Sequence, residues 1–253
     1  MPRKPSVVPS LHRPIQIKYT IVKMKLFSAL ALTLGLAAPV HAATPIVVVP
    51  TSITYTGTNP ELTGANLDNE TQIINGSGLS APLTTVNIDT VTHADIVFSS
   101  PGNGWVTTNP NGAGDFFLSG GAQGTVSFEM LLGATYDLAS FYNWSYDFSE
   151  GYLNANNIKS ITLDYGVGDY ASTLGNFDLT TMTSGSVANK TVLSSTITAD
   201  RVRITVTDNY FGVSGFGGGD RVGAAEFAFV TVPEPAAALL GGLGLLGLLR
   251  RRR

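Results

Sequence analysis

The stretch Ala199-Asp200-Arg201-Val202-Arg203-Ile204-Thr205-Val206-Thr207 contains the clearest structural signal in the chain. Its apolar residues Val202, Ile204 and Val206 alternate one by one with charged or hydroxyl-bearing residues. Successive side chains of a β-strand point to opposite faces of the sheet, so the apolar residues share one face and the polar residues share the other. The stretch therefore predicts a half-buried strand of a two-layer β-sandwich.

The same type of signal recurs along residues 43–232. Phe227 and Phe229 alternate with Glu226, Ala228 and Val230. Turn signals recur about every eight to twelve residues, and no segment keeps a helical period for three turns. Together these features predict one all-β domain. The candidate strands are Ile46–Pro50, Ser52–Thr56, Ile96–Ser99, Gly124–Leu131, Ser140–Tyr146, Ser160–Tyr165, Gly175–Leu179, Lys190–Leu193, Arg201–Thr207 and Ala224–Val230.

Charge is distributed unevenly along the chain. Residues 43–232 contain five basic and 17 acidic residues, a formal charge of −12, whereas the whole chain has −3. Nucleic acids and anionic membrane surfaces are bound through clustered Lys and Arg, so neither is an expected partner of this domain. An excess of carboxylates is compatible with cations, and Ca²⁺ takes oxygen ligands.

The side chains that many enzymes need are scarce. The chain has no cysteine, which excludes disulfides, thiol nucleophiles and cysteine-ligated zinc. His93 is the one histidine in residues 43–232, so a two-histidine metal site is excluded there. The Gly-rich run within Phe211–Gly219 lacks the Lys-Ser/Thr of a phosphate loop.

The N-terminal region has the pattern of an export signal. Met24-Lys25 precedes an apolar run from Leu26 to Val40, and Val40-His41-Ala42 places small residues at the −3 and −1 positions. This order is typical of a secretory signal peptide, so we expect a signal helix within residues 24–42 and cleavage after Ala42. Residues 1–23 fit no targeting class. Either translation starts at Met24, or the signal has an unusually long charged segment.

The C-terminal region has three parts in a specific order. Val232-Pro233-Glu234-Pro235 precedes the uncharged stretch Ala236–Leu249, and Arg250–Arg253 follow. The prolines lack an N–H and fix φ, which favours an extended segment. The apolar stretch predicts a short helix that enters the bilayer, although it is shorter than the roughly 20 residues of an easy span. The arginines are expected to stay on the cytoplasmic side.

This tail resembles the PEP-CTERM sorting signal of exported bacterial proteins. The resemblance implies that the inner membrane holds the precursor transiently and that an exosortase-like enzyme recognises Val232, Pro233, Glu234 and Pro235. It also implies a final location at the cell surface or in the extracellular matrix, and an association with extracellular polysaccharide and biofilm. The expected segments are 1–23, the signal peptide 24–42, the sandwich domain 43–231 and the sorting tail 232–253.

The order of motifs within the domain carries a second resemblance. Ile73-Ile74-Asn75-Gly76 lies near the front, and the final third contains Ala199–Val206, Asn209-Tyr210, a Gly-rich loop and Arg221-Val222-Gly223-Ala224-Ala225-Glu226-Phe227. This succession resembles the discoidin-like, galactose-binding jelly roll. Phe211 departs from the Asn-Tyr-Gly pattern of that family. The resemblance implies a jelly-roll β-sandwich that binds ligands at loops on one end.

Four residues are candidates for contact with a glycan. Trp105 follows the loop Pro101–Gly104, and loops concentrate binding residues. Tyr210, Phe211 and Arg221 lie on the Gly-rich loop, where aromatic rings stack on sugars and an arginine donates to hydroxyls. The alternative is an ordinary hairpin connection with solvated charges. Trp144 and Tyr146 lie two residues apart on a candidate strand, and we expect them in the core rather than on a glycan platform.

The second resemblance also implies a site for a structural Ca²⁺. The corresponding residues are Asn75 and Glu226, with Asp68 and Asn69 upstream. Asn75 stands where the family has an aspartate, which removes one charge. Alternatively, Glu226 faces solvent, because it alternates with the apolar Phe227.

Three classes of function remain open. A polysaccharide-binding module predicts an exposed Trp105 or Tyr210 beside a concave loop surface. A purely structural surface protein predicts that both are buried and that there is no pocket. A glycan hydrolase predicts a cleft with a pair of carboxylates of raised pKa. Asp147 and Glu150 are the close couple beside aromatic residues. We expect a non-catalytic protein.

Overall fold

A computed structural model describes residues 44–58, 61, 67–97, 102–108, 117, 125–147, 154–179 and 187–232. These residues belong to one compact unit, Ala43–Glu234. The expected signal helix, the apolar C-terminal helix and residues 1–23 lie outside them. No helix among the described residues is long and apolar enough to cross a membrane.

The regular secondary structure of the described residues is almost entirely β-strand. The strands are β1 (Val47–Val48), β2 (Ser52–Tyr55), β3 (Trp105–Val106), β4 (Val126–Trp144), β5 (Ile158–Gly166), β6 (Ser172–Asp178), β7 (Asn189–Asn209), β8 (Gly223–Ala224) and β9 (Glu226–Thr231). One short 3-10 helix, Glu70–Ile73, lies between β2 and β3. The all-β jelly-roll sandwich that the sequence predicts is confirmed.

Seven strands form one hydrogen-bonded antiparallel sheet. Their order is β1-β9-β4-β7-β5-β6, and β2 pairs with the first part of β4. The long strands β4 and β7 pair with each other from Val126 opposite Val206 to Asn143 opposite Asn189. A separate two-stranded ladder joins β3 to β8. All the ladders between these described strands are antiparallel, as expected for a sandwich built without crossover helices.

The sheet folds back on itself to make the two layers. Phe128 and Asn143 lie 15 positions apart on β4, a separation of about 50 Å along a straight strand. Phe227 pairs with Asn143 on β9, yet the ring centroids of Phe128 and Phe227 are 5.8 Å apart. The two halves of β4 therefore belong to opposite layers of one sandwich.

Irregularities in the β4–β7 ladder produce this bend. The register shifts between Leu131 and Tyr136, and again between Leu138 and Ser140. Gly133 lies within the first shift at φ +83°, a conformation that favours glycine. Bulges of this type let one strand pass from one layer to the other. The sequence suggested separate strands at Gly124–Leu131 and Ser140–Tyr146, and the structure joins them.

The core lies between the layers, as the alternation predicts. Val202, Ile204 and Val206 are buried, and Arg203 and Thr205 on the opposite face are partly exposed. The guanidinium of Arg203 lies 2.8 Å from Asp164 on β5 and 3.6 Å from Glu129 on β4. This outer face is therefore stabilised by cross-strand polar pairs.

A second apolar cluster covers the outer side of β4 and β9. It contains Leu67, Ile88, Ile96, Val106, Tyr142, Trp144, Tyr146, Ala225 and Ala228. Trp144 and Tyr146 are buried there, which confirms the expectation that they are core residues. The indole of Trp144 donates to the carbonyl of Val91 at 3.0 Å, so the segment before β3 is fastened over the sheet. Ile96 and Val97, which were expected in a strand, are not in one.

Candidate functional site

Trp105 lies in the core rather than on a binding surface. It begins β3, is fully buried, and its ring contacts Phe128 and Tyr55 at centroid distances of 4.8 and 5.0 Å. Its indole N–H donates to Oε1 of Glu61 at 2.5 Å. Burial raises the pKa of Glu61, and the hydrogen bond from Trp105 opposes that rise. This position contradicts the choice of Trp105 as a glycan-binding candidate.

The glycine before Trp105 explains this position. A Cβ on Gly104 would lie 2.6 Å from the side chain of Ile96 and 3.0 Å from the carbonyl oxygen of Ala224. Glycine therefore lets the chain run close against β8, where Trp105 pairs with Ala224. In the sequence, this glycine resembled an ordinary loop residue.

The loop between β7 and β8 presents the other glycan candidates. Tyr210 is 5% exposed, and its ring stacks on Phe216 at a centroid distance of 4.2 Å. Tyr210 is therefore not the exposed aromatic residue that a binding module predicts. Phe211, Phe216 and Arg221 are partly exposed on the same loop. Three of the candidates, Tyr210, Phe211 and Arg221, thus share one loop, and the two that are partly exposed are Phe211 and Arg221.

Asn209 fixes the two ends of this loop. Its side-chain amide donates to Oδ1 of Asp220 at 3.0 Å and to the carbonyl of Arg221 at 2.8 Å. Its Oδ1 accepts from the N–H of Phe211 at 3.0 Å. One buried asparagine therefore positions both Phe211 and Arg221.

A second segment, Asn154–Asn157, packs beside this loop. Asn154 bridges to Gly217, and Asn157 bridges to Gly223. Asn154, Asn156 and Asn157 are all buried, and Oδ1 of Asn156 has no hydrogen-bond partner in the structure. We call Asn154–Asn157 together with Tyr210–Arg221 the loop end. Sequence analysis did not single out these asparagines, although a run of three amides next to a strand was a visible signal.

Two ionisable groups are held against the loop end. Burial raises the pKa of Asp147 to about 6, and the amide of Asn157, which donates to its Oδ1 at 3.2 Å, opposes the rise. Burial also raises the pKa of Tyr146, and the positive charge of Arg221 opposes that rise. The loop end thus combines amide groups, the guanidinium of Arg221 and partly exposed aromatic rings. Such groups suit a ligand that is rich in hydroxyl groups. Glu150, the expected partner of Asp147 in hydrolysis, lies outside the described residues.

Asn75 and Glu226 come together at a different place. Both carboxylate oxygens of Glu226 accept from the N–H of Gly76, at 3.1 and 3.2 Å. Glu226 is fully buried, so the alternative that it faces solvent is wrong. The second apolar cluster covers this side of β9, which the alternation alone could not show. Burial raises the pKa of Glu226 to about 8, and the hydrogen bond from Gly76 opposes the rise.

Glu226 carries two carboxylate oxygens and Asn75 an amide oxygen, and Ca²⁺ prefers oxygen ligands of these kinds. Gln72 lies in the 3-10 helix that precedes Asn75, and its buried Oε1 has no hydrogen-bond partner in the structure. Oδ1 of Asn75 accepts from the N–H of Ser77 at 2.7 Å. Among the described residues, no three acidic or histidine side chains form a metal-binding group. A cation here would therefore depend on one carboxylate together with amide and main-chain oxygens.

Asn69, which precedes Asn75 and was also a candidate for the Ca²⁺ site, has a local structural role. Its Oδ1 accepts from the N–H of Thr71 at 3.1 Å and so caps the 3-10 helix. Asn69 therefore fixes the start of the turn that contains Gln72 and leads to Asn75.

The sorting motif follows the last strand directly. The N–H of Val232 donates to the carbonyl of Asp137 on β4 at 2.9 Å. Pro233, Glu234 and Pro235 lie outside the described residues. Residues 231–253 match the family model of the PEP-CTERM protein-sorting motif. The chain carries this sorting motif.

Comparison with solved structures finds similarity to two family 32 carbohydrate-binding modules and to the C-terminal domain of a chitobiase. The family 32 module of NanJ from Clostridium perfringens, in complex with galactose, is 14% identical over 74% of this chain and 99% of that chain, with a TM-score of 0.41. A family 32 module from a family 31 glycoside hydrolase of the same organism is 14% identical over 74% and 95%, with a TM-score of 0.43. The C-terminal domain of a Bacteroides fragilis chitobiase is 15% identical over 74% and 97%, with a TM-score of 0.42. A search of curated proteins found no match.

Proposed function

We propose that this protein is an exported, non-catalytic surface or matrix protein whose β-sandwich binds polysaccharide at the loop end. The sorting motif directly after β9 is the observation that carries the proposal of export. An exosortase-like enzyme then recognises Val232–Pro235 and releases the domain from the inner membrane. The product resides at the cell surface or in a biofilm matrix.

The loop end supports the proposal of polysaccharide binding. Phe211 and Phe216 offer partly exposed ring surface, and Arg221 offers hydrogen-bond donors. Asn156 lies buried in the neighbouring segment, and its amide oxygen has no hydrogen-bond partner in the structure. Aromatic surface with a few fixed polar groups is the usual composition of a small-ligand site.

A structural protein without a ligand is the second candidate. The buried positions of Trp105 and Tyr210 favour it, because a binding module was expected to expose at least one of them. Under this proposal the loop end is an ordinary connection between β7 and β8. The two candidates differ in one observable, saturable binding of a polymer.

Binding to a panel of bacterial and plant polysaccharides tests the proposal. Residues 43–232 are compared with the variants Phe211→Ala and Arg221→Ala, each expected to weaken binding about tenfold or more. Phe177→Ala and Arg201→Ala are matched controls on the sheet, where both residues are partly exposed. Equal binding by all five proteins would show that the polysaccharide binds elsewhere than at the loop end. Absence of binding to any polymer would favour the structural protein.

We also propose that Asn75 and Glu226 take part in holding a structural Ca²⁺. The ion would supply positive charge to a buried carboxylate that otherwise retains its proton at neutral pH. The turn at Gly76 would then be fastened to β9 by the ion.

A further inference from the structure

The sandwich ends at the sorting motif without a linker. The N–H of Thr231 donates to the carbonyl of Ile46, and the N–H of Ile46 donates to Oγ1 of Thr231, both at 3.1 Å. The N–H of Val232 donates to Asp137, and Pro233 comes next. Pro233 has no N–H and cannot donate the next main-chain hydrogen bond. The hydrogen bonds of the sandwich therefore reach the residue directly before this proline.

A surface cavity of about 450 Å³ opens where the chain leaves the sandwich. We call its lining the tail-base surface, and it includes Ile46, Thr135, Tyr136, Asp137, Thr198 and Val232. Ile46 is 48% exposed and Tyr136 is partly exposed, so apolar surface is available. Thr135, Asp137 and Thr198 are exposed, and the hydroxyl of Thr198 donates to Oδ1 of Asp137 at 2.6 Å.

Chain geometry places any enzyme that reads the motif beside this surface. Glu234 is two residues beyond Val232, and two extended residues span at most about 7 Å. A pocket that holds the Glu234 side chain must therefore approach the tail-base surface, unless β9 first separates from β1 and β4. Separation would break the hydrogen bonds of Thr231 and Val232 described above.

We propose that the tail-base surface is a docking site for the enzyme that processes the sorting motif. This inference rests on the proposed function, because it assumes that the tail is processed. Ile46 and Tyr136 supply apolar contact, and the threonine hydroxyls and the Asp137 carboxylate supply a polar rim, the usual anatomy of a protein interface. The partner surface is apolar at its centre and offers hydrogen-bond donors to Asp137, next to the pocket for Glu234.

The test follows the full-length precursor in its source cells by pulse-chase, with loss of the tail measured by mass. Thr135→Arg and Asp137→Arg place large cations on the tail-base surface and are expected to slow conversion about tenfold. Asp178→Arg is the matched control, because Asp178 is an exposed residue on β6 at the other edge of the sheet. Unchanged melting temperatures of the purified domains show that each variant is folded.

An inserted linker distinguishes the effect of docking on the sandwich from recognition of the motif itself. Five Gly or Ser residues inserted between Val232 and Pro233 should slow conversion of the native sequence about tenfold. They should also make conversion insensitive to Asp137→Arg. Conversion of Asp137→Arg at the native rate, without a linker, would overturn the docking proposal. Glu234→Ala is expected to block conversion in every chain. If it is converted like the native chain, processing through the motif fails, and the docking proposal fails with it.

Discussion

The carboxylate of Glu226 accepts hydrogen bonds from the N–H of Gly76, which lies 150 residues earlier in the chain. This contact joins the first irregular segment of the domain to its last strand, β9. Glu226 is completely buried, and burial raises the pKa of its carboxyl from the ordinary value of 4.5 to about 8. The contact therefore depends on pH and on any cation bound there.

The first prediction concerns pH. Between pH 4.5 and about 8, the folded state keeps a proton on Glu226 that the unfolded state has released. Folding stability from this group is therefore complete below about pH 4.5 and is lost as the pH rises toward 8. In chelator, we expect the melting temperature of the native domain to fall over this window relative to Glu226→Gln. Equal pH slopes for the two proteins, measured by calorimetry, would contradict the assignment, and Glu129→Gln is the surface control.

The second prediction concerns calcium. A ligand at 100 times its dissociation constant stabilises the folded state by about 2.7 kcal/mol, which corresponds to a rise in melting temperature of roughly 5–10 °C. We expect Ca²⁺ to produce a rise of this size at pH 8, and Glu226→Gln to abolish it. Asn75→Asp adds a charged ligand and should lower the concentration of Ca²⁺ that is required. If saturating Ca²⁺ leaves the melting curve of the native domain unchanged, the proposed site does not bind calcium.

The third prediction concerns Trp105. Trp105→Ala removes a buried indole from the core and should destabilise the domain by about 3–5 kcal/mol, measured by urea unfolding. Trp105→Phe keeps most of the packing but removes the hydrogen bond to Glu61. Trp105→Phe should lower the free energy of unfolding by less than Trp105→Ala does, and it should leave polysaccharide affinity unchanged. A loss of affinity in a folded Trp105→Phe protein would return Trp105 to the list of binding residues.

The fourth prediction separates binding from hydrolysis. Asp147→Asn keeps an oxygen that can accept from Asn157 and removes the group that titrates near pH 6. Because the pKa of Asp147 rises from 3.8 to about 6 on folding, its contribution to stability falls as the pH rises through this window. We expect the variant to bind polysaccharide like the native domain and to lose this fall in stability. Release of reducing ends by the native domain, and its loss in Asp147→Asn, would instead identify a hydrolase.

Periodicity predicted much of the sandwich. The alternation at Arg201–Thr207 and at Glu226–Val230 gave the correct buried faces for Val202, Ile204, Phe227 and Phe229. It did not show that β4 and β7 are single bent strands, because a bulge interrupts the two-residue period that identifies a strand. The sequence predicted two layers, but it could not show that one continuous sheet forms both of them.

The site was harder to predict than the fold. The family resemblance placed Asn75 and Glu226 at one site, and the structure brings Gly76, the residue after Asn75, to the carboxylate of Glu226. The burial of Glu226 depends on a covering segment with no strong periodicity. Trp105 was misassigned because Gly104 permits close packing as readily as it permits a loop. Asn154, Asn156 and Asn157 gained importance only from their position beside the β7–β8 loop.

Hydrogen exchange with and without a bound polysaccharide tests most directly whether the loop end binds polysaccharide. The measurement uses residues 43–232 and the polymer that they bind best in the panel. We predict slower exchange in Asn154–Asn157 and Tyr210–Arg221, with little change in Ser172–Asp178 on β6. Protection confined to residues outside the loop end, or a folded domain that binds none of the polymers, would contradict the claim.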